Sequence, residues 1–213
     1  MFGAIKRSGV RRAVTISAAG VLATAGVLAS GVTAASADTT ATLKYPVTGT
    51  THLTTPNGDV SLGPGHLVST ADLNTDTLTA KLTLPPATGS FKELGLIPVT
   101  ATVKLINDGP TTGTVNGSTG AVTTTSKITM QITSLIVAGI PQPVGNSCET
   151  ASPVSVTVHS DPGFSILKGG NLSGTYTIGN FANCGLETLL INLTVPGSGN
   201  TITLTLGKGK FVK

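Results

Sequence analysis

The sequence predicts an all-β protein, an antiparallel β-sandwich or flattened barrel of about ten strands, with one short helix near the C-terminus. Three observations support this fold class. Apolar and polar residues alternate along most of the chain, Asn, Gly and Pro separate the alternating runs, and a single segment has helical spacing. Apolar residues of the predicted strands include Leu43/Tyr45/Val47, Leu78/Ala80/Leu82, Ile97/Val99/Ala101, Ile128/Met130/Ile132, Val154/Val156/Val158, Leu172/Tyr176/Ile178 and Ile202/Leu204/Leu206.

Turn residues connect these strands. The segments 56–59 and 116–117 contain Asn-Gly, which readily adopts the positive φ of tight hairpins, and 107–110 has a similar composition. Within 127–137 the apolar phase shifts at Ser134, which predicts a β-bulge or a strand that crosses between sheets.

The segment Gly185–Asn192 is the predicted helix. Its apolar residues fall at i, i+3, i+4 and i+7, namely Leu186, Leu189, Leu190 and Leu193. Pro196 would end the helix, and Cys184 would tie it down so that it plugs an open edge or end of the fold. The alternative is a further buried strand over 189–195.

Residues 1–37 are predicted to be a secretory signal peptide. A basic start and an apolar stretch precede Ala35-Ser36-Ala37, which predicts cleavage before Asp38. The general secretory route is favoured, although Arg11-Arg12 leaves the twin-arginine route open. Residues 38–213 then form one domain. We expect no transmembrane anchor there, because no run of about 18 apolar residues follows the leader.

Removal of the leader changes the charge of the chain. The 13 Lys and Arg residues fall to 9, against 9 Asp and Glu, so a net charge of +4 becomes zero and no Arg remains. Nucleic acid is therefore not expected as a partner, because such binding depends on clustered basic residues.

The two cysteines, Cys148 and Cys184, are expected to form one disulfide in an oxidising compartment. The alternative is two separate buried thiols. Neither cysteine has a second Cys or a His at metal-ligand spacing, so the pair does not predict a metal site.

No motif predicts catalysis, a cofactor or a metal. His159-Ser160-Asp161 has the residue types of a catalytic triad, but adjacent strand residues face opposite sides of a sheet. The segment 72–76 repeats the first ligand spacings of a calcium loop, yet Thr77 and Thr83 replace the required Gly and Glu. We therefore expect 74–76 to be the turn of a hairpin.

Threonine is the compositional outlier, with 34 among the 176 residues after the leader. An array of Thr on a strand face can bind an ordered surface such as ice, but the Thr-x-Thr pairs here have no constant period. The favoured interpretation is an uncharged coat on the exposed sheet faces. The two tyrosines, Tyr45 and Tyr176, fall in the apolar phase of their strands and are expected in the core.

The leader 11–23 and the low-charge, Thr/Gly-rich body resemble secreted proteins of actinobacteria of the Streptomyces type. The segments 148–153, 169–176, 181–185 and 196–201 are similar to a pattern in uncharacterised exported proteins of that group. Because no activity is established for them, the resemblance implies a secreted location and a lineage but no mechanism.

The leading functional hypothesis is a secreted, non-catalytic structural or interaction module. It would bind an unknown extracellular or cell-wall partner or associate with itself. The alternative is a carrier of an apolar small molecule or lipid, with a mouth near Leu135, Ile136, Val137 and Ile140, for which a cavity of roughly 300 Å³ or more is expected. A hydrolase, the third hypothesis, requires a cleft with a His beside two carboxylates.

Overall fold

The computed structural model describes residues 40–93 and 95–212. The predicted signal peptide, 1–37, and its cleavage site at Ala35, Ala37 and Asp38 lie outside these residues. Within them the fold is all-β with one short helix near the C-terminus, as the sequence predicts.

Fourteen strands form one connected sheet in the described residues, and the ten longer ones agree with the predicted number. The strands are β1 Thr40–Leu53, β2 Gly58–Asp72, β3 Thr77–Thr83, β4 Ala87–Glu93, β5 Ile97–Asn107, β6 Thr111–Val115, β7 Val122–Val137, β8 Ile140–Gln142, β9 Glu149–Thr150, β10 Val154–Ser160, β11 Gly170–Ile178, β12 Phe181–Ala182, β13 Gly197–Leu206 and β14 Lys210–Phe211. A 3-10 turn, Gly185–Glu187, leads into the helix α1, Thr188–Thr194.

Eight strands close into an antiparallel barrel. The ring runs β1-β2-β3-β6-β7-β10-β11-β13 and returns to β1. It closes because β7 pairs with β6 through 122–125 and with β10 through 123–128. The sequence predicted a sandwich, with a flattened barrel as the alternative, and the continuous ring corresponds to the barrel. Alternation could not decide between them, since both architectures turn every second side chain inward.

The second half of β7 extends beyond this ring. It pairs with β5 on one side and with β8 and β9 on the other, and β4 pairs with β5. Thr102 pairs with Ser134 but Val103 with Ile132, so Thr133 is an extra residue in β7. This is the β-bulge that the phase shift at Ser134 predicts, and it restores the inward direction of Leu135, which is buried.

The core fills the barrel and its extension. Tyr45 and Tyr176 are buried, as predicted from the phase of their strands. Each phenol hydroxyl has a partner. That of Tyr45 donates to the carbonyl oxygen of Ile166 at 2.8 Å, and that of Tyr176 lies 2.6 Å from the hydroxyl of Thr51. The Thr51 hydroxyl donates to the carbonyl oxygen of Thr201, so Tyr176 is the donor to Thr51.

Threonine hydroxyls pair across neighbouring strands on the sheet faces. The Oγ1 atoms are 2.9 Å apart in Thr42–Thr70 and in Thr88–Thr102, and 2.8 Å apart in Thr125–Thr157. These pairs lie on several different strand pairs rather than in one regular array, which supports the interpretation as a coat.

The hairpins follow the predicted turns, with one difference. Asn57 and Gly109 have positive φ, 62° and 92°. Asn116 acts through its side chain instead, since its Oδ1 accepts hydrogen bonds from the backbone N–H groups of Ser118 and Thr119 at 3.0 and 2.9 Å. The prediction that Asn116-Gly117 supplies positive φ was wrong, because the loop to β7 spans 116–121 and its positive φ falls at Gly120.

Candidate functional site

Four leucines around the helix point into solvent. Leu186 is 93% exposed, Leu189 71%, Leu190 42% and Leu193 72%. The predicted helix is present, but its apolar face does not cover the end of the fold, so the prediction that this face acts as a plug was wrong. The 3.6-residue spacing correctly placed the leucines on one face, yet it contains no information on what covers that face.

The opposite side of the helix holds it to the barrel. Ile191 is 2% exposed and is the buried residue of α1. Asn192 binds the backbone of Phe181 twice, with its Oδ1 2.7 Å from the amide nitrogen and its Nδ2 2.9 Å from the carbonyl oxygen. Ile191 and Asn192 therefore fix the orientation that turns the leucines outward.

The predicted disulfide, Cys148–Cys184, is present and both cysteines are fully buried. Cys148 precedes β9 and Cys184 follows β12, and these two short strands pair with each other. The Thr188 side chain binds the turn that begins at Cys184, because its Oγ1 accepts a hydrogen bond from the amide of Cys184 at 3.1 Å and donates one to the carbonyl of Gly185 at 2.9 Å. The turn before the helix is therefore fastened covalently to the start of β9, which pairs with β7.

Further exposed apolar residues lie at the same end of the barrel. Leu96 is 83% exposed, Ile97 40% and Ile140 64%. Val137 pairs with both Val99 and Ile140, which brings the starts of β5 and β8 together at the end of β7. We call these seven exposed side chains at one end of the barrel the leucine end: Leu96, Ile97, Ile140, Leu186, Leu189, Leu190 and Leu193.

The helix lies between these neighbours. At its start, a Cβ placed on Gly185 would be 3.5 Å from the carbonyl oxygen of Pro143, in the segment that follows β8. At its end an open groove of about 650 Å³ separates it from two hairpins. The groove is lined by Thr54, Thr55, Pro56, Asn57, Lys92, Gly95, Leu193 and Thr194.

Two buried contacts shape this groove. Asn200 is fully buried, and its Oδ1 accepts a hydrogen bond from the amide of Thr54 at 3.0 Å. Its Nδ2 donates to the carbonyl of Gly197 at 2.9 Å, so one amide joins the β1–β2 hairpin to the start of β13.

Charges are few at the leucine end. Glu187 precedes α1, Lys92 lies in the groove at the other end of the helix, and Glu93 pairs with Ile97 at the end of β4. In the part of the chain that the structure describes, the salt bridge is His52–Asp59, with Nδ1 2.7 Å from Oδ1. Glu187 and Lys92 therefore have no ion-pair partner among the described residues.

Two apolar cavities lie in the core of the barrel and its extension. One of about 60 Å³ is lined by residues that include Tyr45, Leu78 and Phe164, and one of about 100 Å³ by residues that include Phe91, Met130 and Tyr176. Both are well below the roughly 300 Å³ expected for a carrier of a drug-sized ligand.

The mouth predicted for a carrier does not lead to either cavity. Leu135, Ile136, Val137 and Ile140 are absent from the lining of both. The prediction was wrong because Leu135 is buried and Ile140 lies at the outer edge, where β8 pairs with the end of β7.

Burial raises the pKa of Tyr45 and of Tyr176 above the ordinary value of a phenol, so desolvation favours the neutral side chains.

The triad-like segment engages three separate partners. His159 Nδ1 is 3.0 Å from Thr123 Oγ1, Ser160 Oγ accepts from the amide of Val122 at 3.0 Å, and Asp161 binds Ser173. These side chains do not bind one another.

The segment 72–76 forms the predicted hairpin turn, with the amide of Asn74 donating to Asp72 Oδ1 at 2.8 Å. Within residues 40–93 and 95–212, no three His, Cys, Asp or Glu side chains gather closely enough to hold a metal ion.

The helices in the described part of the chain are too short to cross a membrane.

Sequence reasoning found the leucines but missed their role as a surface. Ile191 is the apolar residue of the segment that falls outside the stripe of leucines, but its spacing alone does not show which side is buried.

In comparisons with known protein families, with curated proteins and with solved structures, the chain has no match.

Proposed function

We propose that this protein is a secreted, non-catalytic interaction module whose binding surface is the leucine end. As part of this proposal, the signal peptide directs export from an actinobacterial cell and the protein acts outside it, released or loosely held at the cell wall. The buried disulfide Cys148–Cys184 supports this location, because such bonds persist in oxidising compartments.

The exposed leucine face of a firmly anchored helix carries the proposal. At about 100 Å² of apolar area for a fully exposed leucine or isoleucine side chain, the leucine end presents roughly 450 Å² to water. Single exposed leucines are ordinary, but a patch of this size on a small protein is often a functional surface. The helix is held by a covalent bond, two amide hydrogen bonds and Ile191, so the patch is presented in a fixed geometry.

A carrier has weaker support. The interior is apolar, but its space is divided between two small cavities. Ligand-binding cavities usually enclose several times this volume.

Paired surface variants test the proposal. Leu189→Ser with Leu193→Ser removes half of the helical leucines, and Leu73→Ser with Leu167→Ser is the matched control, since those leucines are 48% and 52% exposed at the opposite end. Binding is measured to the protein itself, to phosphatidylcholine vesicles and to purified host cell walls.

We expect the wild-type protein to bind at least one of these probes, the first variant to lose that binding and the control to keep it. Retention on a phenyl matrix should fall more in the first variant than in the control. Failure of the wild type to bind any of the three probes, or equal loss in both variants, would refute the leucine end as the binding surface.

A further inference from the structure

We propose that the leucine end joins two copies of this chain about a two-fold axis that passes beside Leu189 and Leu190. This inference rests on the proposed function and names the partner of that surface. It follows from the charges, the shape and the area of the leucine end.

Two of the charges at the leucine end are complementary to each other under two-fold symmetry. Glu187 lies at the start of the helix and Lys92 beside its end, in the same groove as Leu193. A two-fold axis perpendicular to the helix makes the helices of the two copies antiparallel, and every contact then occurs twice. Glu187 of one copy meets Lys92 of the second copy, and the reverse pair forms at the other end.

The positions of the leucines and of the groove are also compatible with a two-fold axis. Leu186 and Leu193 are separated by about 10 Å along the helix, so the midpoint falls at Leu189 and Leu190. The axis there brings Leu186, the most exposed of the four leucines, over the groove of the second copy. That groove has an apolar wall formed by Leu193 and Pro56.

The area agrees with a dimer of standard size. A stable interface covers about 800 Å² on each partner, of which about 57% is apolar. The roughly 450 Å² of apolar surface at the leucine end matches that share. The chain after the leader has equal numbers of basic and acidic residues, so net charge does not oppose association.

A membrane surface fits these observations less well. A helix that lies on a lipid surface usually carries Lys or Arg along its polar face. Here Glu187 is the charged residue of the segment 185–194, and the polar side chain of Asn192 is used to bind Phe181.

Charge exchange provides the test. The oxidised protein and its variants Glu187→Lys, Lys92→Glu and the double exchange are compared by sedimentation equilibrium at low salt and neutral pH. Lys168→Glu, an exposed reversal at the opposite end, is the matched control. Near-ultraviolet circular dichroism establishes that each variant keeps the wild-type fold.

We expect a dimer whose dissociation constant rises about tenfold or more in each single exchange, because each substitution places like charges together at two sites. The double exchange should restore wild-type affinity to within about threefold, and Lys168→Glu should leave it unchanged. Leu189→Ser should give a monomer.

A wild-type protein that stays monomeric, or a double exchange that fails to recover, would overturn the dimer. If the monomer binds vesicles or cell walls through the leucine end, the proposed function stands and this inference alone fails. If no probe binds, both fail.

Discussion

Ile128 lies between the two interior cavities together with Val156 and Ile202, and its truncation leads to a quantitative prediction. Ile128 lines both the cavity of about 60 Å³ and the cavity of about 100 Å³. Ile132 lies on the same strand and is similarly buried, but it lines only the larger cavity. Ile128→Ala and Ile132→Ala therefore remove the same atoms, but only the first position lies between the two cavities.

The two substitutions should destabilise the protein equally. Each removes three buried carbon groups, at about 0.8 kcal/mol each. Each also vacates roughly 80 Å³, which costs about 2 kcal/mol at 24 cal/mol per Å³. We expect a loss of about 4 kcal/mol in the free energy of unfolding in both variants, measured by urea denaturation.

The variants should differ in the ligands they accept. Ile128→Ala should join the two cavities into one void of roughly 240 Å³. Ile132→Ala should enlarge only the larger cavity, to roughly 180 Å³. Benzene should stabilise both variants. n-Butylbenzene should stabilise only Ile128→Ala, by about 1.4 kcal/mol at ten times its dissociation constant.

Equal responses of the two variants to n-butylbenzene would show that Ile128 does not separate the cavities. A loss below about 1 kcal/mol in either variant would show that the surrounding core collapses onto the vacated space.

Three further predictions concern stability. Replacing Cys148 and Cys184 together by Ala should lower the free energy of unfolding by about 4 kcal/mol in urea, because the disulfide closes a loop with a sequence separation of 36; a change below about 1 kcal/mol would contradict this. Asn200→Ala should cost about 2 to 3 kcal/mol in the same assay, since it leaves buried backbone groups without partners, and a neutral result would mean that water replaces the amide. Burial raises the pKa of Tyr45 and Tyr176 in the folded state. The contribution of the two neutral phenols to the free energy of unfolding is therefore complete below the unfolded pKa of about 10 and is lost as the pH rises through the folded pKa. Absorbance at 295 nm should show native tyrosines ionising above pH 10, and titration at about pH 10 in the folded protein would refute the assignment.

The strands could be predicted because their signal is local. Alternation located seven of the ten longer strands, namely β1, β3, β5, β7, β10, β11 and β13, and the break in phase at Ser134 located the bulge at Thr133. Ring closure could not be predicted, because it depends on pairing between β7 and β10, which are separated by a loop and two short strands. Two strands with the same alternation can pair with each other or with neighbours, and the sequence of either one does not distinguish these possibilities.

The candidate site shows a similar limit. The spacing of the four leucines predicted a helix and an apolar face, and both are present. The direction of that face is decided by contacts outside the helix, because Asn192 binds Phe181 in β12, and β12 is held by its pairing with β9 and by the disulfide to Cys148. Helical periodicity fixes which side chains are neighbours but not which of them meet the rest of the protein.

The paired threonines make the charge of the sheet areas they cover independent of pH and salt concentration. Hydroxyl groups that bind each other across strands, as Thr42 does Thr70, carry no charge at any pH that proteins encounter. Acidification, alkali or concentrated salt therefore leaves this part of the exterior chemically unaltered, whereas a shell of lysine and glutamate would change its charge or its screening. Such a coat keeps its properties in surroundings whose acidity and salinity the cell does not control.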